Sequence, residues 1–162
     1  MRKSAFITNA PEATLKKRLS QLTEHSGELK FLVGFFYFSG WREIFDSLKE
    51  REDLIIKILV GLEVDNTLGR IVEYGPDSTR LSNEDKAEKF FDSIRKALND
   101  EDLDSEDFYQ QVLFFLDLLQ EGKLIIRKTA DPNHAKLYLF KIQEHLRGIA
   151  DARFITGSSN LT

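Results

Sequence analysis

Two long apolar segments constrain the fold of this chain more than any other feature. Residues 29–38 read LKFLVGFFYF and residues 54–62 read LIIKILVGL. Each segment is nearly continuous in apolar residues, which is typical of β-strands covered on both faces. The stretch Trp41–Leu48 between them has helical spacing and predicts a short helix, which Ser39 or Gly40 can cap. A strand, a helix and a strand in this order predict a parallel sheet with right-handed crossovers.

A further helix is predicted before the first strand. The leucines at positions 15, 19 and 22 share one face of it. Pro11 suits its first turn, and Gly27 is expected to end it. After the second strand, residues 63–81 contain two glycines and a proline and are interpreted as mostly irregular.

The second half of the chain predicts two more helices and three more strands. Ser82 to Asp85 resembles a capping box and opens a helix that reaches Leu98. The acidic residues 99–107 form a solvated connector to a helix at 108–120. The predicted strands are 124–128, 135–141 and 153–156, with a hairpin loop at 142–151. Residues 1–162 therefore predict one α/β domain with a mixed, largely parallel sheet flanked by helices.

The composition is that of a globular domain rather than a membrane or disulfide-rich protein. Hydrophobic residues make up 41% of the 162 residues, charged residues 31%, and there are 13 Phe. Trp41 and the Phe runs are interpreted as core. The absence of Cys excludes disulfides and thiolate chemistry. Since no apolar run has the length of a membrane span or of a signal core, we expect a cytoplasmic protein with no membrane partner.

The net charge of −4 is distributed unevenly along the chain. Residues 122–162 contain seven cations and three anions, so the remainder is strongly acidic. A basic segment of this kind can present an anion-attracting face on an acidic body. Ordinary charge scatter explains the same numbers equally well at this stage.

The residues that point to chemistry lie in the last part of the chain. His134 and Lys136 stand two apart, and Gly157-Ser158-Ser159-Asn160 follows after twenty intervening residues. This order resembles the HxK…GSxN signature of the phospholipase D superfamily. The predicted strand and helix order is also similar to that family, although the specific part of the resemblance is confined to residues 134–162. His25 and His145 belong to no such pattern, and we assign them no role.

The resemblance implies phosphodiester chemistry without a metal or other cofactor. His134 would be the nucleophile that forms a phosphohistidine, or the general acid. Lys136 would hold the phosphate by its charge, and the Asn160 amide would donate to it. Ser158 or Ser159, with the N–H groups of the turn at Gly157, would bind phosphate as well. His134 and Lys136 are expected on one strand, where residues two apart point to the same face. Taken alone, His134 could be a surface residue beside a turn, and residues 158–160 a polar turn.

The sequence departs from the family pattern in two ways. The usual Asp five positions after the Lys is replaced by Lys141, as it is in some nucleases of the superfamily. The acidic residue expected shortly after the GSxN segment would lie beyond Thr162, so we expect the chain to be an N-terminal fragment of a longer protein. The family's site uses two motifs, and one is present. This predicts a homodimer or a second motif in further sequence.

Three functions follow from these observations. The first is a metal-independent endonuclease-like domain acting on nucleic acid, DNA rather than RNA, as a module of a helicase or a restriction-type protein. The second is a module that binds nucleic-acid phosphates without cleaving, which the missing Asp and the single motif favour. The third is phosphatidyl transfer, which lacks support from any amphipathic membrane element.

Overall fold

The described residues of the chain form one six-stranded sheet whose strand order is β3-β4-β2-β1-β5-β6. The computed structural model describes residues 7, 14–51, 53–64, 68–69, 71–74, 81–97, 105–148 and 150–158. The strands are β1 (Ser26–Phe36), β2 (Ile55–Val64), β3 (Glu73–Tyr74), β4 (Leu124–Lys128), β5 (Leu137–Ile142) and β6 (Ala152–Thr156). The helices are α1 (Leu15–Thr23), α2 (Phe38–Leu48), α3 (Asn83–Ala97) and α4 (Glu106–Gln120), with a 3-10 turn at Glu144–Leu146.

The sheet is mixed, as the sequence predicts. Strand β1 is parallel to β2, and β4 is parallel to both β2 and β3. Strand β5 is antiparallel to β1 and to β6. The α/β class with a mixed sheet flanked by helices is thus confirmed. The short strand β3 lies within the segment 63–81, which the sequence predicted to be mostly irregular.

The helices cover one face of this sheet, so the prediction that the first two strands are buried on both faces is wrong. Along β2 the side chains alternate between exposed (Ile55, Lys57, Leu59) and buried (Ile56, Ile58, Val60). The physical reason is that the helices pack together on one side of the sheet: Trp41 of α2 and Phe90 of α3 both contact Phe115 of α4.

An aromatic cluster fills the space between the sheet and the helices. Phe115 of α4 lies with its ring centroid 4.4 Å from Phe90 of α3 and 5.0 Å from Trp41 of α2. Phe38 contacts the rings of Phe90 and Phe115 as well. All four side chains are buried. The prediction that Trp41 and the Phe runs form core is confirmed for these residues.

Two predicted helix boundaries are wrong. Helix α1 ends at Thr23, and Gly27 is already part of β1, because the strand begins at Ser26. Helix α2 begins at Phe38 rather than after Ser39 or Gly40, with Tyr37 as its N-cap and no side-chain cap. Burial of Phe38 in the aromatic cluster draws it into the helix.

The start of α3 follows its sequence signal, whereas α4 begins at Glu106 rather than at residue 108, because Ser105 is its N-cap. The backbone N–H of Asp85 donates to Ser82 Oγ (3.1 Å), and the Asp85 carboxylate accepts from the Ser82 N–H (3.3 Å), which confirms the capping box. Gly122 follows α4 with a φ of 68°, a conformation that favours glycine. Pro11, Leu98 and most of the acidic connector lie outside the described residues. In the part of the chain that is described, no helix has both the length and the apolar character needed to cross a membrane.

Candidate functional site

The site is built on the connection between β4 and β5. Strand β4 ends at Lys128 and β5 begins at Leu137, and β2 and β1 lie between these strands in the sheet. The connection therefore crosses the carboxyl ends of β2 and β1. Ligands of open α/β sheets usually bind at the carboxyl ends of the strands. The residues 129–136 of this connection include His134 and Lys136.

Gly61 of β2 allows the connection to lie directly on the sheet edge. The Asn133 N–H donates to the Gly61 carbonyl at 3.0 Å. A Cβ atom added at Gly61 would stand 1.9 Å from the Asn133 carbonyl oxygen and 2.7 Å from its carbonyl carbon. Any side chain at position 61 would therefore displace the backbone one residue before His134. The sequence contained a signal for this, because an isolated glycine in a strand often marks a close backbone approach.

Local hydrogen bonds shape the connection further. The Thr129 N–H donates to the Val60 carbonyl (3.0 Å), and its hydroxyl donates to the Asp131 carbonyl (2.6 Å). The Asn133 side-chain oxygen accepts from the Ala135 N–H at 2.7 Å, which is an Asx turn around His134. The backbone on both sides of the histidine is thus tied to fixed acceptors and donors.

His134 projects from this turn toward solvent. The residue is exposed, and its ring lies edge-on to Phe35 with centroids 6.5 Å apart. Phe35 is near the end of β1, beside a bulge at which the β1–β2 register shifts between Val33 and Phe35. Among the described residues, none forms a side-chain hydrogen bond with the imidazole. The sequence did not predict this contact between the imidazole and Phe35.

Lys136 lies beside His134, but the two residues do not lie on a strand as predicted. Both residues precede β5 rather than lie on it, so the prediction that His134 and Lys136 share a strand face is wrong. The Asx turn draws residues 133–135 out of the strand. The Lys136 ammonium donates to the His134 carbonyl at 2.6 Å. Its side chain is partly exposed, so this group can turn toward a ligand above the edge.

The second half of the predicted motif reaches the same edge. The antiparallel ladder pairs Leu137, the first residue of β5, with Thr156, the last residue of β6. Gly157 and Ser158 follow β6 and are exposed, next to the end of the ladder that Lys136 precedes. The hairpin predicted at 142–151 thus brings Gly157 and Ser158 to the end of the ladder that Lys136 precedes. Ser159 and Asn160 lie outside the described residues.

The basic residues of 122–162 do not gather on one face. Arg127, Lys128 and Lys136 lie at or near the carboxyl edge of the sheet. Lys141 lies near the opposite edge, because β5 runs antiparallel to β4, and Lys123 precedes β4 there. The site thus receives part of the positive charge that the sequence indicated.

A separate charged cluster lies near the amino end of the parallel strands. The Glu28 carboxylate lies 2.6 Å from Lys57 Nζ and 3.7 Å from each of the Lys30 and Lys141 ammonium groups. The hydrogen bond from Lys57, with the charge of the three lysines, holds the pKa of Glu28 below its usual value. Lys141 occupies the position of the family's Asp, and here it belongs to this cluster rather than to the site.

Compared with protein-family models and with curated proteins, the chain gives no match to either.

Proposed function

We propose that this chain is a phosphodiesterase-type domain that acts on nucleic acid, with a phospholipase D-like fold and site. One observation carries the proposal. Strands β5 and β6 are paired, and both parts of the motif lie at the same end of this pair. His134 and Lys136 precede β5, and Gly157 and Ser158 follow β6, although twenty residues separate the two parts in the sequence. The HxK…GSxN resemblance supports the same assignment. A DNA strand is the preferred substrate, in keeping with a module of a helicase or restriction-type protein.

The chemistry would proceed in two displacements without a metal. In the first, an imidazole nitrogen of His134 attacks phosphorus, the P–N bond forms and the P–O bond to the leaving strand breaks. A second histidine, from a second copy of the chain or a further part of the protein, protonates the leaving oxygen. In the second displacement, the second histidine takes a proton from water. The water oxygen then attacks phosphorus, the P–N bond breaks and His134 is released. Lys136 and the donors of residues 157–160 would stabilise the equatorial oxygens.

The nuclease proposal is tested by cleavage of end-labelled DNA, single-stranded and duplex, in the presence of EDTA. We expect products from the full chain and a loss of at least about a hundredfold in rate for His134→Ala. His145→Ala is the matched control, because His145 is exposed in the 3-10 turn of the β5–β6 hairpin. Trapping a phosphohistidine in the unmodified chain would support the covalent step. Equal rates for the chain and His134→Ala would contradict the proposal.

A second candidate function is phosphate binding without cleavage. Two observations favour it: Lys141 stands where the family has its Asp, and the imidazole contacts Phe35 and no carboxylate among the described residues. It predicts DNA binding whose affinity falls steeply with salt and no product in the EDTA assay. Lys136→Glu should weaken that binding and reduce the salt slope by about one. Lys17→Glu, on the exposed side of α1, is the control. Binding that is insensitive to salt would contradict this function.

A further inference from the structure

Among the residues that the structure describes, no helix or strand covers the face of the sheet opposite the helices, and this face is largely apolar. We call it the open sheet face. Its apolar side chains come from four neighbouring strands and are Leu32, Ile55, Leu59, Ile125, Leu137 and Leu139. Ile55 and Leu59 are exposed by 41% and 39%, and Phe154 of β6 by 68%. Contiguous apolar surface of this kind marks an interaction site, because a sheet normally buries such a face against another element.

The strand registers arrange this face in rows. One row near the carboxyl edge runs Arg127, Leu59, Leu32, Leu137 across β4, β2, β1 and β5. The next row runs Ile125, Lys57, Lys30, Leu139 and continues to Phe154. A groove of about 630 Å³ follows these rows. Four strands span about 14 Å, which is wide enough for a single α-helix of about 10 Å diameter.

The charge of the open sheet face selects the partner. Away from the carboxyl edge, its charged residues on β1, β2 and β5 are three cations (Lys30, Lys57, Lys141) and one anion (Glu28). The side chains of Lys30 and Lys57 are about half exposed, and their ammonium groups lie 3.7 Å and 2.6 Å from the Glu28 carboxylate. A second copy docked by a two-fold axis would place these cations against one another, which opposes a homodimer through this face.

We propose that the open sheet face binds an amphipathic helix of a partner protein, apolar along the side that meets Leu32, Leu59 and Leu137 and acidic along its margins. The helix would present apolar residues at i, i+3, i+4 and i+7 to the groove. Its acidic margins would pair with Lys30 and Lys57. Aliphatic rather than aromatic side chains dominate the face, which favours a protein segment over stacked nucleic-acid bases. This inference does not depend on the proposed nuclease function.

The test uses a fluorescein-labelled, stapled helical peptide of about 18 residues with leucines at the spacing above and glutamates along both margins. Fluorescence anisotropy with the full chain should give saturable binding that weakens as salt is raised. Leu59→Asp and Lys30→Glu should each weaken binding about tenfold or more. Lys17→Glu, on α1, should leave binding unchanged, and so should His134→Ala, which separates this proposal from the nuclease proposal.

Two control peptides sharpen the outcome. A peptide with lysines at the margins should bind the unmodified chain weakly and should regain affinity for Lys30→Glu. A peptide of the same composition with scrambled leucine spacing should not bind. Circular dichroism melting of each variant verifies the fold, and Lys30→Glu tests the face even if Leu59→Asp is destabilised. Equal affinity for acidic and basic peptides would overturn the proposal. So would a dimer abolished by Leu59→Asp, or single-stranded DNA binding that depends on Lys30 and Leu59.

Discussion

Gly61 and Asn133 determine where the candidate site residues stand. The backbone of the β4–β5 connection rests on the sheet only because position 61 has no side chain. The hydrogen bond from the Asn133 N–H to the Gly61 carbonyl and the Asx turn to Ala135 then hold the histidine between them. In chain order Gly61 is far from His134, and no spacing rule connects them. The glycine could be noticed in the sequence, but its partner could not be named.

Gly61→Ala should therefore damage the site more than the fold. The added Cβ meets backbone atoms, so the connection must shift, and overpacking of this kind costs about 1–3 kcal/mol. We expect urea denaturation to show this decrease in the free energy of unfolding. We also expect a changed His134 imidazole signal in two-dimensional NMR and weaker DNA binding. Gly148→Ala is the matched control, since a Cβ there would meet nothing within 4 Å. An unchanged His134 signal in Gly61→Ala would contradict the positioning role.

At the scale of elements, Arg51 joins α1, β1 and the segment after β5. Its guanidinium donates to the carbonyls of Thr23 (2.6 Å) and Glu24 (2.9 Å) at the end of α1, and to that of Ser26. Asp53 holds the guanidinium and also accepts from Gln143 (3.2 Å). The hydrogen bond from Arg51 lowers the pKa of Asp53. A side chain from after α2, rather than the predicted glycine, thus satisfies the end of α1.

Replacing Arg51 by Ala should destabilise the chain by about 2–3 kcal/mol, because several carbonyls lose a charged donor together. Arg51→Lys should recover only part of this, since an ammonium cannot reach the same carbonyls in a fork. Thermal and urea denaturation measure both changes. Arg95→Ala, at an exposed ion pair 3.6 Å from Asp92, should change stability by less than about 0.5 kcal/mol. Similar losses for the two Ala variants would refute the role given to Arg51.

At the scale of the whole molecule, the chain is a one-sided layer structure. Its aromatic cluster lies between the sheet and the helices, its open sheet face lies opposite, and its candidate site lies on the carboxyl edge between them. Stability should thus depend on the helical side, and recognition on the edge and the open face. The separation lets variants at the edge or the open face be tested in a folded chain.

Phe115→Ala tests this division. Phe115 is fully buried and contacts Phe38, Trp41 and Phe90, so truncation should cost about 3–5 kcal/mol. Phe91 lies on the same helix as Phe90 and is 46% exposed. Phe91→Ala should therefore lower the free energy of unfolding by less than about 1 kcal/mol. Urea denaturation midpoints provide the comparison. Equal losses would show that the core does not lie on the helical side.

The sequence by itself determined the order and kind of most elements, including the capping box at Ser82 and the strand 124–128. These features depend on apolar periodicity and on local hydrogen bonds, which neighbouring residues specify. It also indicated the two motif halves. Tertiary structure decided what no local pattern encodes: that one face of the sheet stays open among the described residues, that Lys141 joins Glu28 rather than the site, and that His134 leaves the strand, with Asn133 bonded to Gly61 and the imidazole edge-on to Phe35. Strand order and register make these decisions, because they pair residues that are distant in the chain.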